Sequence, residues 1–183
     1  MGFFGFGRRG RFERTGFQLY GAAVAAARAP YFYTTLGVPD TLDGRFDLVG
    51  LHAFLLIRRL QALPAPGPGL AQAVFDAMFA DMDTNLREMG VGDLSVGKRV
   101  RAMWEAFHGR SEVYQAALEA GDEAGIAAAL ARNVWRGQEA PPGAAALARV
   151  VQAQDRHLSG QGLESLARGH ADFGADFGVA ADG

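Results

Sequence analysis

The chain has 183 residues, with 18 Lys and Arg against 20 Asp and Glu, a net charge of −2 and no cysteine. A chain of this length is one domain that buries roughly 70% of its unfolded surface, so it needs no covalent staples. The missing cysteines exclude disulfides and thiolate metal sites, and the lack of a basic excess excludes a dedicated nucleic-acid binder.

Charge is distributed unevenly. Arg8, Arg9, Arg11 and Arg14 crowd the start against Glu13 alone, whereas residues 169–183 carry Asp172, Asp176 and Asp182 and no Lys or Arg. Residues 1–15 read as a flexible basic and aromatic arm, either a solvated disordered end or a contact for an anionic membrane surface. Arg8-Arg9-Gly10-Arg11-Phe12 comes close to a twin-arginine export signal, but its Phe is one place late and Glu13 intrudes. The longest apolar runs, Leu19–Ala27 and Val49–Ile57, fall short of the ~20 residues that span a bilayer. The expectation is a cytoplasmic protein, peripheral at most on the cytoplasmic face of the inner membrane.

Thr15 is placed to cap a helix from Gly16 to Ala29 that Pro30 ends. A loop carrying Tyr31, Phe32, Tyr33, Asp40, Asp43 and Arg45 follows, with far more specified chemistry than a connector needs. In it, Asp43-Gly44 favours a tight turn and Arg45 clamps neighbouring carboxylates. Phe46–Leu63 is apolar on most sides and reads as the central helix. Pro64–Gly69 breaks the chain. Leu70–Met89 carries a stripe of Phe75, Phe79, Met82, Leu86 and Met89. Gly90 stops it, opening a second specified loop from Arg87 to Ser95.

Ser95 is the expected cap of a helix with the core stripe Val96, Val100, Met103, Trp104 and Phe107, interrupted at Gly109 and resuming over Ser111–Ala120. Asp122 caps a helix with Ile126, Leu130 and Val134. The last helix covers Ala144–Leu158, after a break from Gly137 to Gly143. Residues 169–183, in which Ala-Asp-Phe-Gly occurs twice in succession, read as an acidic disordered tail. The fold class is all-α: a single-domain bundle of six to seven helices over residues 16–168, with long ordered loops.

Several stretches imitate chemical motifs. Gly5-Phe6-Gly7-Arg8-Arg9-Gly10 has dinucleotide-fingerprint spacing but no room for the strand that must precede it. Gly92-Asp93-Leu94-Ser95-Val96-Gly97-Lys98 follows a phosphate loop until Arg99 takes the place of the magnesium-binding hydroxyl. Glu105 and His108 share a helical face, but a di-iron bundle needs a second such pair. His52, inside the apolar central helix, reads as a hydrogen-bonded core residue without a nucleophile nearby. No catalytic, cofactor or metal-binding residue is assigned.

Taken together, Ala29-Pro30-Tyr31-Phe32-Tyr33, Gly37-Val38-Pro39-Asp40-Thr41, Asp43-Gly44-Arg45-Phe46-Asp47, Leu51-His52, Arg58-Arg59-Leu60, Met78-Phe79-Ala80-Asp81-Met82-Asp83, Leu86-Arg87-Glu88-Met89-Gly90-Val91-Gly92-Asp93 and Phe107-His108-Gly109-Arg110 with Tyr114 resemble the ubiquinol–cytochrome c chaperone family, in a bacterial form. The resemblance runs over about residues 17–136. It implies an all-helical, non-enzymatic protein that binds newly made cytochrome b, a hydrophobic membrane-protein client, and supports assembly of the ubiquinol–cytochrome c reductase. In mitochondrial relatives it further implies a small partner subunit and a ribosome contact.

The residues expected to meet a client or partner are Tyr31, Phe32, Tyr33, Asp40, Arg45, His52, Arg87 and Glu88. For the tyrosines and Phe32 the competing expectation is a hydrophobic plug over the bundle end. The alternative function is a small-molecule site for a quinone, lipid or haem-like ligand between the helices.

Overall fold

The computed structural model describes residues 6–137 and 141–174. All regular structure among these residues is helical: α1 (Phe6–Ala27), α2 (Pro30–Thr34), α3 (Leu42–Gln61), α4 (Gly67–Glu88), α5 (Asp93–Ala120), α6 (Glu123–Val134), α7 (Pro142–Ser159) and α8 (Leu163–Ala167). The six long helices are those the periodicity predicts, and α2 and α8 add one short turn-like segment each. No described helix is long and apolar enough to cross a membrane.

The all-round apolarity of α3 has its expected consequence. Leu48, Leu55, Leu56 and Leu60 are fully buried, and the helix touches α1, α4, α5, α6 and α7. Each such leucine contributes roughly 1.5–3 kcal/mol by leaving water. Thr41 starts the helix by accepting from the Gly44 amide at 3.1 Å. Arg58 and Arg59 in its last turn suit the helix dipole and also tie the end down, to Asp155 at 3.1 Å and to the Gln161 carbonyl.

Beside α3, α1 and α4 pack at small residues. A Cβ placed on Gly16 would lie 2.6 Å from the Ala73 carbonyl oxygen, so the two backbones are as close as they can be. The stripe read along α4 is one of two. Leu70, Val74 and Met78 face α1 and α3, whereas Phe75 and Phe79 face α5 and are half-buried. A helix held between neighbours on two sides carries two stripes, and the Phe75–Met89 pattern is only the α5-facing one.

Four boundaries differ from expectation. Residues 6–15, expected as arm, are the first turns of α1; residues 1–5 lie outside the described structure. The Asp43-Gly44 turn is instead the first turn of α3. α5 begins at Asp93 behind Gly92, so Ser95 sits inside it and not at its cap, and it continues unbroken through Gly97 and Gly109. Lastly, residues 169–174 are ordered: Phe173 is buried, against the expectation of a disordered tail that starts at 169. The part of that tail from 175 onward lies outside the described residues.

Candidate functional site

The first loop is held from several directions. Its aromatic start forms α2, whose Phe32 is fully buried and edge-on to His52, with ring centroids 5.4 Å apart. Tyr33 Oη donates to the Ala27 carbonyl at 3.0 Å. Trp135, just past α6, donates its indole N–H to the Gly37 carbonyl at 3.0 Å. Gly44 is required where the chain doubles back, because a Cβ there would meet the Pro39 carbonyl oxygen at 2.0 Å. On the outside, Arg45 Nε donates to Asp40 at 2.6 Å. That bond holds the Asp40 carboxyl below the usual carboxylate range and lifts the Arg45 guanidinium.

His52 is completely buried and neutral. Burial pushes its imidazole down to about 4, with the Leu48 carbonyl bond opposing. Nδ1 donates to that carbonyl at 2.7 Å, so Nε2 is the acceptor for the Gln154 amide at 3.1 Å. Phe32 and His52 are therefore packing partners, and their burial removes both from the expected contact surface. Tyr31 and Tyr33 remain half-exposed above them, as a plug with an accessible outer side.

Arg87 and Glu88 sit elsewhere, at the end of α4. Arg87 bonds Asp83 at 2.6 Å and Asp93 at 2.5 Å, closing the turn between α4 and α5. Glu88 is exposed in that turn. The same corner displays apolar side chains to solvent: Met89 is 50% exposed and Leu94 is 98% exposed. Along α5, Trp104 is 45% exposed and lies over His108, with centroids 4.0 Å apart, next to Phe75. The core role expected for Trp104 is thus corrected, because α5 meets the bundle on a narrow face on which only Val96, Tyr114 and Ala117 are buried.

A second cluster unites residues that the motifs separate. Asp47 on α3, with a side chain 2% exposed, accepts from Arg110 Nη1 on α5. Arg136 Nη2 lies 3.0 Å from its other oxygen. Arg136 reaches back from a left-handed turn at φ 55° after α6, a conformation that costs an L-residue about 1–2 kcal/mol. Burial raises the Asp47 carboxyl while the two guanidiniums oppose the shift. Close by, Asn133 donates to Tyr114 Oη at 3.0 Å, and burial raises the Tyr114 phenol. Phe46, Gly50, Met103, Ala106 and Arg110 wall a cavity of about 20 Å³ here, space for about one water. Asp47, Arg110 and Tyr114 stood in the quoted motifs but were not picked as site residues. The missed signal was an acid placed inside an apolar helical stripe, which must find a cation.

Among the described residues, the pairs that imitate catalytic motifs have ordinary structural partners. Glu105 pairs with Arg101 at 3.1 Å, and His108 Nδ1 bonds the Trp104 carbonyl at 2.9 Å. The phosphate-loop-like stretch is the first turns of α5, so its amides are committed to a helix. What the geometry offers is a clamped long helix with exposed apolar side chains.

The sequence profile of the ubiquinol-cytochrome C chaperone family matches residues 34–173. The chain belongs to this family. A crystal structure of the Cbp3 homolog from Brucella abortus superposes with a TM-score of 0.80 at 37% identity, over 92% of this chain and 95% of that one. Ubiquinol-cytochrome-c reductase complex assembly factor 1 of Xenopus laevis is 24% identical over 66% of this chain and 60% of its own. The Drosophila melanogaster protein of the same name is 30% identical over 70% of this chain and 49% of its own. The chain thus spans about half to three fifths of these relatives. The family match continues to Phe173, beyond the stretch to residue 136 in which the motifs are legible.

Proposed function

We propose that this protein is a non-enzymatic assembly factor for the ubiquinol–cytochrome c reductase that shelters an apolar segment of newly made cytochrome b. The observation that carries the reading is the family membership, joined to a fold shared over nearly the whole chain with the Brucella protein. The arrangement of α5 supports it. The Asp47 cluster fixes one half of the helix on the bundle, and Arg87 fixes its start, while Met89, Leu94 and Trp104 between them face solvent. Exposed apolar side chains backed by a rigid frame suit a greasy, sequence-variable ligand. Tyr31, Tyr33 and the Asp40–Arg45 pair form a second contact area, and Glu88 gives the α5 surface a polar edge. Contact with the cytoplasmic face of the inner membrane, a small partner subunit or the ribosome belongs to the same reading.

The quinone, lipid or haem-like alternative gains no support from the α3–α5 cavity: about 20 Å³ compares poorly with the roughly 300–1,000 Å³ of ligand pockets. The test is a photo-crosslinking residue at Leu94 of the full chain in living cells, with exposed Arg156 as control, alongside a gene deletion. Cytochrome b captured from position 94 well above the control, and a selective loss of the reductase in the deletion strain, are expected. Unchanged reductase levels would end the proposal.

A further inference from the structure

In α2 only Phe32 is buried, so the seat of that ring decides where the outer sides of Tyr31 and Tyr33 stand. Phe32 lies edge-on to His52, and His52 in turn meets Phe173, with ring centroids 5.4 Å apart at both contacts. The imidazole that joins the two phenylalanines is held by the Leu48 carbonyl and the Gln154 amide. That network is dry but not fully satisfied: Gln154 Oε1 is buried without a hydrogen-bond partner. Such an atom takes up water as soon as water can reach it.

Phe173 arrives on a strap fastened at the surface. Gln161 uses both ends of its side-chain amide on Asp172: Oε1 accepts from the Asp172 backbone amide at 3.0 Å, and Nε2 donates to the Asp172 carbonyl. His157 Nε2 meets the Asp172 carboxylate at 3.0 Å, and that carboxylate also accepts from the Gly174 amide at 2.9 Å. With the backbone held from outside, the Phe173 ring drops inward and is 5% exposed. We propose that Phe173 is a positioning residue for the aromatic loop: seated on His52, it keeps water from the His52–Gln154 pair and so keeps the imidazole under Phe32 and α2 in place. The proposal rests on the assembly-factor reading in one respect, that Tyr31 and Tyr33 meet the client. Emptying the seat leaves a hollow into which neighbours shift or water enters, and either withdraws the support beneath Phe32.

Hydrogen exchange read by mass spectrometry on Phe173→Ala, Phe173→Leu and Gln161→Ala of the full chain tests the packing link. The amides of Thr35, Leu36 and Val38 report on α2, because they donate to the Tyr31 and Phe32 carbonyls. Phe173→Ala should speed their exchange at least tenfold and leave α4 as in wild type, and Phe173→Leu, which refills the hollow, should restore most of the protection. Gln161→Ala releases the strap without altering Phe32, His52 or Phe173. It should loosen α2 in the same way, and it decides if Phe173→Ala does not fold. Unchanged exchange at Thr35, Leu36 and Val38 overturns the proposal, as does equal acceleration in α4, which makes Phe173 ordinary core. A photo-crosslinker at Tyr31 or at Leu94 in living cells then separates the two readings. Capture of cytochrome b should fall at least threefold from position 31 in Phe173→Ala and stay level from position 94. Full capture from position 31 with a loosened α2 keeps the packing link and overturns the loop's place on the client surface.

Discussion

Arg110 of α5 donates to the buried carboxylate of Asp47 on α3, 63 positions earlier, and this bond joins the long outer helix to the central one. Its importance follows from the sparse packing of α5: with few buried apolar side chains, the helix depends on a polar fastening. Removing one partner of a buried pair costs roughly 3–5 kcal/mol, because it strands the other charge. Arg110→Ala should lose somewhat less than that in urea denaturation, because Arg136 stays 3.0 Å from the other Asp47 oxygen. Arg136→Ala, which takes away the half-exposed second guanidinium, should lose about 1 kcal/mol or less. Equal small losses would show that α5 is held by something else.

The acid limb of the stability curve should belong to His52. Burial brings it down to about 4 in the folded chain, below the ordinary imidazole value of 6.5, so between these values the unfolded chain binds the proton more readily. Stability therefore rises with pH through this window and falls as pH drops from 6.5 toward 4, by about 3 kcal/mol in all. Asp40 and Asp172, both held low, lose their contributions only at more acidic pH. His52→Leu should flatten the slope above pH 4. An unaltered slope would point to other groups.

Three glycines should respond in opposite directions. At Gly44 and Gly143 an added Cβ meets backbone oxygens of Pro39 and Leu36 at 2.0 and 1.9 Å, so alanine should cost at least about 1–3 kcal/mol. At Gly109, inside α5 with nothing within 4 Å, alanine should stabilise by roughly 1 kcal/mol through helix propensity. Differential scanning calorimetry on the three variants checks the pattern. A destabilised Gly109→Ala would mean that α5 is not a regular helix there.

Asp40→Ala and Arg45→Ala remove an exposed ion pair, with side chains 58% and 62% accessible. Melting temperature should stay unchanged while client capture falls, if this face meets the client. A large stability loss would make Arg45 a structural clamp and strike it from the contact surface.

Leu94→Ser touches a side chain 98% exposed and should leave stability within about 0.5 kcal/mol of wild type. The expected effect is on binding: weaker recovery of cytochrome b in crosslinking and lower reductase levels in a complemented deletion strain. Full complementation would relocate the client surface away from the α4–α5 corner.

The long helices were legible because their apolar periodicities are strong and their breakers, Pro30, Pro64–Gly69 and Gly90, are unambiguous. Their ends were less so. Gly109 looks like an interruption but costs too little to break a 28-residue helix, and nothing local marks residues 6–15 as helical. The site was harder. Phe32 and His52 invite a functional reading because aromatic and imidazole groups so often bind ligands, yet both are spent on packing. Asp47, Arg110 and Arg136 are ordinary letters until three helices bring them together. The order of residues 169–174 was hidden for a related reason: a segment poor in apolar residues reads as disordered unless its docking hollow is known.

Trp135 holds the Gly37 carbonyl from 98 positions away. During synthesis the aromatic loop therefore leaves the ribosome long before the indole that fixes it. Until α6 and the turn after it have emerged, Tyr31 and Tyr33 have no settled platform, so the aromatic loop of a nascent molecule matures late, after α1 to α6 have all been made.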